Sequence, residues 1–438
     1  MPADCADARY AGGSNVTRIA FAATYPPRRC GIATFTSDLS RAVGGARIVA
    51  LHYLGDGDRY PAEVQFRIAR DNRDDYLRVA RALDAGRFDA ISLQHEYGIW
   101  GGEDGEYVLD FARALHKPIV TTLHTVPQRP TANQRRILME LVERSAATVV
   151  MSRSAARLLA GVYGVRESGL DVIEHGVPEL PLVEPDSIKP LVGLELRPTL
   201  LSFGLIGPGK GYESVIEAMP EVAHAEPAAQ YVILGATHPE LIRREGEAYR
   251  TRLVRLAETL GVEDRVRFVD RYVSLEELGR WLEAADIFVT PYPNPDQIVS
   301  GTLSYAMSAG KPVVSTPYAY AAEMLSSGLG VLVEPGSPKA MAEALAGLLR
   351  DDQRRLDLGR RAYDRSRSMI WPAVGRQYRE VFERVAFEAG RRRFRRKAPP
   401  VAVGRGPLLA GDSLHAIKGV LRPERVPRTA GGGRSADD

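Results

Sequence analysis

Residues 201–218 read LSFGLIGPGKGYESVIEA and combine a strand, a glycine-rich turn and the start of a helix. The apolar run ends at Gly204, Lys210 stands at the end of the turn, and helical periodicity begins after Gly211. Glycines let a backbone approach a phosphate, a helix start offers free N–H groups, and a lysine adds positive charge. The stretch therefore predicts a diphosphate site that includes Gly209 and Lys210.

Two other interpretations of this stretch stay open. Gly204, Gly209 and Lys210 fit the first part of a P-loop, but that motif continues with Ser or Thr to hold Mg²⁺, and Gly211 stands there instead. A plain strand–helix turn without a ligand is the second alternative.

A second stretch with the same kind of chemistry is residues 292–316, YPNPDQIVSGTLSYAMSAGKPVVST. Ser300 is a predicted N-cap, and Gly301 and Thr302 begin the helix after it. The backbone amides of that first turn, together with the helix dipole, predict a second anion site. A well-capped core helix would give the same pattern, and capping is compatible with anion binding.

Short apolar runs alternate with helical patterns in both halves of the chain. The strands predicted in the first half are residues 18–23, 47–52, 90–94, 119–124, 147–151 and 170–174. The strands predicted in the second half are residues 199–204, 230–235, 266–270, 287–291, 312–315 and 330–333. Strands separated by helices indicate parallel sheets covered on both faces. We therefore predict an α/β fold of two doubly wound Rossmann-like domains, with a ligand cleft at the carboxyl ends of their strands.

Composition and charge restrict the class of protein. Of the 438 residues, 45% are hydrophobic and 26% are charged, which is typical of a globular enzyme. Residues 391–438 hold 12 Lys and Arg against 4 Asp and Glu, whereas the rest holds 46 against 51. The folded part is thus mildly acidic, which argues against a nucleic-acid partner. With two cysteines, no apolar run long enough to span a membrane and no signal-peptide pattern, we predict a cytoplasmic protein.

The order of these motifs resembles the group 1 retaining glycosyltransferases of the GT-B fold. In the second half the resemblance rests on GLIGPGKG (204–211), YVILG (231–235), VRFVDRYV (266–273), LGRWLEAADIFVTP (278–291), SYAMSAGKPVVST (304–316) and GVLVEPGSP (330–338). In the first half it is looser and rests on PPRRCGIATF (26–35), LQHEYG (93–98), VTTLHTV (120–126) and VIEHGVP (172–178). The resemblance implies a nucleotide-sugar donor bound by the second domain and an acceptor bound by the first.

The predicted organisation follows from the resemblance and the composition. It comprises a flexible leader (1–16), an acceptor-binding domain (17–185), a proline-rich linker (186–198), a donor-binding domain (199–370), a helix that crosses back to the first domain (371–390) and a basic disordered tail (391–438). The tail suggests a peripheral contact with anionic membrane at the inner face. A solvated tail without a partner is the alternative.

Three positions depart from the family's pattern. The resemblance places two glutamates at Gln297 and Tyr305 and an arginine at Leu205. Some relatives instead carry the Gln-x-x-Ser-Gly-Thr-Leu form found here from Gln297 onward. An amide can still hydrogen-bond sugar hydroxyls, and backbone amides with the hydroxyls of Ser300 and Thr302 can hold a diphosphate. We therefore interpret the chain as a variant subfamily.

The resemblance also suggests further site residues. It implies that His124 lies near the reacting centre, that Gly31 lies in a loop that reaches the donor, and that Glu323 lies close to the donor. His95 and Glu96 end a predicted strand at the same edge and are weaker candidates for substrate binding. Arg28 and Arg29 could add charge to the loop or be solvated, and His175 is expected to be structural.

The predicted function is transfer of a hexosyl group from a nucleotide-diphosphate sugar to a carbohydrate or lipid-linked acceptor. The resemblance implies retention of configuration, and no metal or other cofactor is expected. His124, Lys210 and Glu323 are the predicted catalytic residues. Gly31, His95, Glu96, Gly209, Gln297, Ser300, Gly301, Thr302 and Tyr305 are the predicted substrate-binding residues. A nucleotide-sugar epimerase of the same fold and a catalytically inactive nucleotide-sugar-binding protein remain alternatives.

Overall fold

The computed structural model describes residues 17–53 and 59–397. The predicted leader and most of the predicted tail lie outside these residues. Residues 394–438 form a unit separate from the rest of the chain, and of this unit only the end of the last helix is described.

The first domain contains a sheet of seven parallel strands in the order β3-β2-β1-β4-β5-β6-β7. They are β1 Ile19–Ala23, β2 Arg47–His52, β3 Val64–Ala69, β4 Ala90–His95, β5 Ile119–Leu123, β6 Ala147–Val150 and β7 Leu170–Val172. Its helices are α1 Gly31–Val43, α2 Arg73–Ala85, α3 Tyr107–Ala114, α4 Ala132–Arg144 and α5 Arg153–Leu158. Strands β1, β4, β5 and β6 are buried throughout because helices cover both faces of the sheet.

The second domain contains six parallel strands in the order β10-β9-β8-β11-β12-β13. They are β8 Thr199–Phe203, β9 Gln230–Leu234, β10 Val266–Val269, β11 Ile287–Thr290, β12 Val313–Ser315 and β13 Val331–Leu332. The helices are α6 Pro185–Ile188, α7 Tyr212–Ala225, α8 Pro239–Glu245, α9 Ala248–Thr259, α10 Leu275–Ala284, α11 Gly301–Ser308, α12 Ala319–Met324, α13 Pro338–Arg350 and α14 Asp352–Ser366. The predicted α/β fold of two parallel-sheet Rossmann-like domains is confirmed.

The last helix, α15 Trp371–Lys397, returns to the first domain. Its buried face, from Trp371 to Val385, packs in one core cluster with Phe21 and Phe35. The segment around Val177, where the chain passes from the first domain to the second, lies beside the segment 369–371, where it passes back. The N–H of Val177 donates to the carbonyl of Met369 at 2.9 Å, and the N–H of Trp371 donates to the carbonyl of Val177 at 3.0 Å. The two connections between the domains are therefore joined side by side.

The structure differs from the sequence-based predictions at several elements. Strand β3 was not among the predicted strands. It lies at the edge of the sheet, and its exposed residues alternate with partly buried ones, so it forms no continuous apolar run. The short helices α8 and α12 were also not predicted. Helix α15 continues to Lys397, so the first part of the predicted tail is helical, in keeping with the good helix propensity of arginine.

The predicted linker is packed against the second domain. Lys189 is 2% exposed, and its Nζ lies 2.6 Å from Oδ1 of Asp186 and 2.9 Å from Oδ2 of Asp286, just before β11. A buried lysine needs such partners because an uncompensated charge is costly inside a protein. This segment is therefore anchored by two ion pairs of Lys189, of which the one with Asp286 reaches the second domain.

No helix in the described ranges combines the length and the apolar composition that a membrane crossing requires.

The crossing point has a specific requirement for glycine at position 176. A Cβ built on Gly176 would lie 2.2 Å from the ring of Trp371. We expect Gly176→Ala to lower the free energy of unfolding by about 1–3 kcal/mol, because the ring must move to admit the methyl group. Urea denaturation followed by circular dichroism measures this change. Gly169→Ala is the matched control, since a Cβ there has no neighbour within 4 Å; equal unfolding midpoints for the two variants would contradict this account.

Candidate active site

A cavity of about 890 Å³ lies where the carboxyl ends of the two sheets face each other. Its lining comes from both domains: the loop and helix start around Gly31, the segment 124–129 after β5, the turn after β8, and residues 294–299 after β11. The volume falls within the range of about 300–1,000 Å³ that is usual for small-molecule sites. The cavity is therefore large enough for a bound substrate.

Lys210 lies on the wall formed by the second domain. Its Nζ is 3.4 Å from the hydroxyl of Tyr292 and 4.5 Å from the centroid of that ring. The Tyr292 hydroxyl is in turn 2.7 Å from Oγ1 of Thr302. Lys210 forms no ion pair with any described residue, so its charge is available to an anion in the cavity.

The first turn of α11 lies beside Lys210. Ser300 is its N-cap, and its hydroxyl accepts from the N–H of Leu303 at 3.3 Å. The N–H groups of Gly301 and Thr302 have no acceptor among the described residues. Free amides at a helix N-terminus attract anions, so this turn and Lys210 form one positive wall.

The backbone at the ends of β8 and β9 also requires glycine. Gly235, at the end of β9, has a φ of +143°, and a Cβ there would lie 2.0 Å from the carbonyl oxygen of Gly204. Gly204 has a φ of +136°, which L side chains rarely adopt, although a Cβ there would make only ordinary contacts, 3.8 Å from the methyl group of Thr302 and 4.0 Å from Cε of Lys210. Glycine is therefore favoured at 204 by its backbone conformation and at 235 also by the close approach of the Gly204 carbonyl.

His124 lies at the opposite wall, after β5, and is 5% exposed. Its Nε2 is 2.9 Å from Oε1 of Gln94, whose own amide nitrogen donates to Ser92 at 3.0 Å. Because an amide oxygen can only accept, Nε2 carries the proton and Nδ1 keeps its lone pair. Burial, aided by His175 and His95, lowers the pKa of His124 to about 3. The ring is therefore neutral at physiological pH.

Glu96 lines the cavity next to His124. Its carboxylate accepts from the hydroxyl of Thr125 and from the backbone N–H groups of Tyr97 and Gly98. Burial raises the pKa of Glu96, while these hydrogen bonds act in the opposite direction. Its acceptor capacity is thus already partly used within the protein.

Tyr305 joins the two domains at the back of the cavity. Its hydroxyl donates to Oδ2 of Asp38 at 3.5 Å, from α11 to α1. Burial raises the pKa of Asp38 to about 6, although the charge of Arg41 and the Tyr305 hydrogen bond lower it. Tyr305 stands where the resemblance places a glutamate, so the carboxylate of Asp38, from the first domain, lies beside that position.

Gln297 and Leu205, the other two positions that depart from the family's pattern, also line the cavity. The amide nitrogen of Gln297 donates to the carbonyl of Val299 at 2.9 Å, which leaves its amide oxygen as an acceptor. Leu205 contributes no charge.

The structure brings most of the predicted site residues together. Those that line the cavity are Gly31, Glu96, His124, Lys210, Gln297, Gly301, Thr302 and Tyr305. Those outside its lining are His95, Gly209, Ser300 and Glu323.

Glu323, which the resemblance places close to the donor, makes its contacts outside the cavity lining. One carboxylate oxygen accepts from the N–H of Arg153 at 2.9 Å, and the other accepts from the N–H and the hydroxyl of Ser154 at 2.6 and 2.5 Å. Both oxygens are used at the start of α5, in the other domain. Glu323 therefore connects the domains outside the cavity.

The other three residues outside the lining have local structural roles. His95 is fully buried, packs edge-to-face on Tyr97 at 4.7 Å between centroids, and accepts the N–H of His124 through its carbonyl. Ser300 is 3% exposed and caps α11, so its contribution to the cavity is to hold the amides in place. Gly209 lies exposed in the turn before Lys210.

Several lining residues were not found from the sequence. They are His238 after β9, Tyr272 after β10, Asn294 and Asp296 after β11, and Arg129 after β5. Tyr272, Asn294 and Asp296 lie within the stretches quoted above but were not singled out there. Each of the five residues follows the carboxyl end of a strand, which is the rule that would have identified them. Within the described residues, no group of three or more His, Cys, Asp or Glu side chains is arranged to hold a metal ion.

Two family models match the chain. The model described as "Glycosyltransferase Family 4" matches residues 29–179, and the one described as "Glycosyl transferases group 1" matches residues 187–365. Each match corresponds to one of the two domains.

Curated proteins with similar sequences include two actinobacterial enzymes. D-inositol 3-phosphate glycosyltransferase of Corynebacterium glutamicum is 26% identical over 309 residues, which cover 66% of this chain and 71% of that protein. Phosphatidyl-myo-inositol mannosyltransferase of Mycobacterium leprae is 27% identical over 322 residues, covering 71% and 77%.

Solved structures with the same fold include HepE of Anabaena in complex with UDP and glucose, with a TM-score of 0.69 and 17% identity over 84% of this chain and all of that one. Sucrose-phosphate synthase from Thermosynechococcus elongatus has a TM-score of 0.70 and 18% identity, covering 85% of this chain and all of that one. At these identities the likeness concerns the fold, which is GT-B.

The buried carboxyl of Asp38 predicts a pH-dependent stability. Because its folded pKa of about 6 is above its usual value of 3.8, ionising it costs more in the folded state, and stability is lost as the pH rises through this window. At about 1.36 kcal/mol per pKa unit, the loss reaches up to about 3 kcal/mol. We expect Asp38→Asn to remove this slope in the free energy of unfolding between about pH 4 and 6. The exposed Asp264→Asn should keep it, and an unchanged slope in Asp38→Asn would exclude Asp38 as its source.

Proposed function

Because this chain is a glycosyltransferase of the GT-B fold, we propose that it moves a sugar from a nucleoside-diphosphate sugar to a hydroxyl group of an acceptor. We further propose that the anomeric configuration is retained and that no metal ion takes part. The observation that supports the proposal most directly is the positive wall: Lys210 without an ion-pair partner among the described residues, beside the free amides of Gly301 and Thr302.

The positive wall suits the leaving group of this reaction. As the bond between the sugar and the diphosphate breaks, negative charge grows on the diphosphate oxygens. Preorganised donors lower the energy of that charge more than water does, because they need not reorient during the reaction. Lys210, the hydroxyl of Thr302 and the α11 amides would supply this stabilisation.

His124 would act on the sugar as a neutral hydrogen-bonding group. With Nε2 committed to Gln94, its Nδ1 can accept a hydrogen bond from a sugar hydroxyl. Its low pKa makes it a poor proton carrier at neutral pH, since a general base works best with a pKa near the working pH. We therefore assign His124 to orienting the donor sugar and stabilising the electron-poor carbon.

The acceptor would enter along the wall of the first domain, which Gln128 and Arg129 line. It would be a carbohydrate or a lipid-linked hydroxyl compound. The names of the two relatives refer to inositol 3-phosphate and phosphatidyl-myo-inositol, so inositol phosphates belong among the acceptors to be tested.

The first test is a donor screen. Purified protein is incubated with UDP-, GDP- and ADP-sugars, and the release of free nucleoside diphosphate is measured. We expect release with at least one donor and a loss of at least about a hundredfold in Lys210→Ala, because a donor to the charged leaving group is removed. Lys339→Ala, whose side chain is 79% exposed, is the control. Binding by calorimetry without turnover of any donor would favour the inactive binding protein, and a lack of both binding and turnover would contradict the proposed function.

The stereochemistry and the metal requirement are tested on the donor that reacts. We expect the proton NMR spectrum of the first product to show the anomeric configuration of the donor. Activity should persist in excess EDTA, because the positive wall alone would stabilise the negative charge that develops on the leaving diphosphate. An inverted product would exclude retention, and activity lost in EDTA and restored by Mg²⁺ or Mn²⁺ would establish a metal requirement.

A further inference from the structure

His175 stands just before the crossing point of the chain between the two domains, and its ring lines the cavity. Its Nδ1 lies 2.7 Å from the carbonyl oxygen of Gly176. Because a carbonyl oxygen can only accept, Nδ1 carries the proton and donates it, and Nε2 keeps its lone pair. The backbone of Gly176 therefore fixes the tautomer of this imidazole.

The other ring nitrogen of His175, Nε2, has no hydrogen-bond partner among the described residues. Both ring nitrogens of His95 also lack a partner, but they are closed off from solvent, whereas Nε2 of His175 is accessible. In the free protein water can bind such an acceptor. A ligand that displaces this water has to supply a donor in its place, because an unpaired polar atom is costly once it is buried.

Aromatic packing holds the His175 ring in this orientation. Its centroid lies 5.1 Å from that of Phe35 in the first domain and 6.1 Å from that of Tyr305 in the second, and both pairs are edge-to-face. Trp371 adds a third aromatic ring at 6.3 Å. The acceptor is therefore preorganised, so little side-chain freedom is lost when a ligand binds to it.

The edge of the ring that carries Nε2 lies against the start of α11. A Cβ built on Gly301 would be 3.0 Å from Nε2 and 3.1 Å from Cε1 of His175. The N–H of Gly301 belongs to the positive wall, which binds the diphosphate under the proposed function. His124, which we assign to the donor sugar, packs on the same Phe35 ring at 4.8 Å. His175 is therefore on the sugar side of the diphosphate rather than on the nucleoside side.

The chemistry of Nε2 suits a hydroxyl group better than a phosphate. Burial lowers the pKa of His175 to about 4, although the hydrogen bond to Gly176 acts in the opposite direction, so the ring is neutral near neutral pH. A lone pair repels phosphate oxygens and attracts the proton of a hydroxyl group. The same low pKa makes His175 a poor proton carrier, because a general base works best with a pKa near the working pH.

We propose that Nε2 of His175 accepts a hydrogen bond from one hydroxyl group of the donor sugar, and that the cavity therefore selects donors whose sugar carries this hydroxyl. The proposal rests on the proposed function, since it assumes a nucleoside-diphosphate sugar in the cavity. With His124 on the other side of Phe35, two neutral imidazoles would each bind one sugar hydroxyl. His175 is thus a substrate-binding residue as well as a part of the domain crossing.

Two substitutions separate the roles of the two ring nitrogens. The amide nitrogen of asparagine takes the place of Nδ1, so His175→Asn keeps the donor to Gly176 and removes the acceptor. The amide oxygen of glutamine reaches the place of Nε2, so His175→Gln keeps an acceptor and removes the donor. His224→Asn, exposed on the last turn of α7, is the matched control. Circular dichroism and the unfolding midpoint of each variant verify that it is folded.

The measured quantity is selectivity between donors. The full chain is assayed with UDP-glucose, GDP-mannose and ADP-glucose, and kcat/KM for the release of nucleoside diphosphate is determined with the best of them. The same constant is then measured for its monodeoxy forms, in each of which one sugar hydroxyl is replaced by hydrogen. Selectivity is the ratio of the two constants. The intrinsic reactivity of a deoxy sugar is the same in every variant, so it cancels when selectivities are compared.

We expect the wild type to exceed His175→Asn in selectivity by at least about tenfold for one deoxy form, because only the wild type leaves an acceptor unpaired with that form. The selectivity against the other deoxy forms should be the same in the two proteins. His224→Asn should match the wild type, and His175→Gln should keep more of the selectivity than His175→Asn. A purely structural role would lower kcat/KM with every donor by the same factor and leave the selectivity unchanged.

The outcomes separate this proposal from the proposed function. If the wild type uses a donor and His175→Asn, while folded, keeps the wild-type selectivity against every deoxy form, the role of His175 is refuted and the function stands. A wild type that uses every deoxy form as well as the parent donor refutes this role without any variant. If the wild type releases nucleoside diphosphate from none of the three donors, the proposed function and this proposal both fail.

Discussion

The two chain crossings between the domains are joined at one point, and the geometry of the cleft depends on that junction. Val177, on the outward crossing, exchanges two backbone hydrogen bonds with Met369 and Trp371 on the return. Trp371 then packs against Phe35, with ring centroids 5.4 Å apart, and Phe35 packs against His124 at 4.8 Å. The junction is thus in contact with the wall of the cavity.

Other contacts across the cleft extend this junction. Glu323 binds the start of α5, Arg365 pairs with Glu174, and the hydroxyl of Ser152 donates to the carbonyl of Ile298 at 2.9 Å. At the mouth, the hydroxyls of Tyr272 and Thr34 lie 3.5 Å apart, a contact that is easily broken. Strong contacts at the back and weak ones at the mouth are what a cleft needs in order to open for a substrate without losing its alignment.

The departures from the family's motif are best understood as a redistribution of polar groups. Tyr305 occupies the position of a glutamate, and its hydroxyl reaches Asp38, so a carboxylate is still present but comes from α1. Gln297 keeps an acceptor oxygen without the charge. Leu205 has lost a positive charge, and Lys210 and His238 lie close by on the same wall. At Tyr305 the carboxylate comes from another element, at Gln297 the acceptor stays at the same position, and polar atoms remain around the cavity.

The sequence by itself determined the fold class, because the alternation of apolar strands and helices leaves few architectures other than doubly wound parallel sheets. It also determined the positive wall, since the turn before Lys210 and the capped start of α11 are local features whose chemistry is written in consecutive residues. Only the tertiary structure showed which groups Glu323 and Asp38 contact. Whether a carboxylate faces a substrate or caps a helix in the other domain depends on contacts between residues more than a hundred positions apart, which no local pattern encodes.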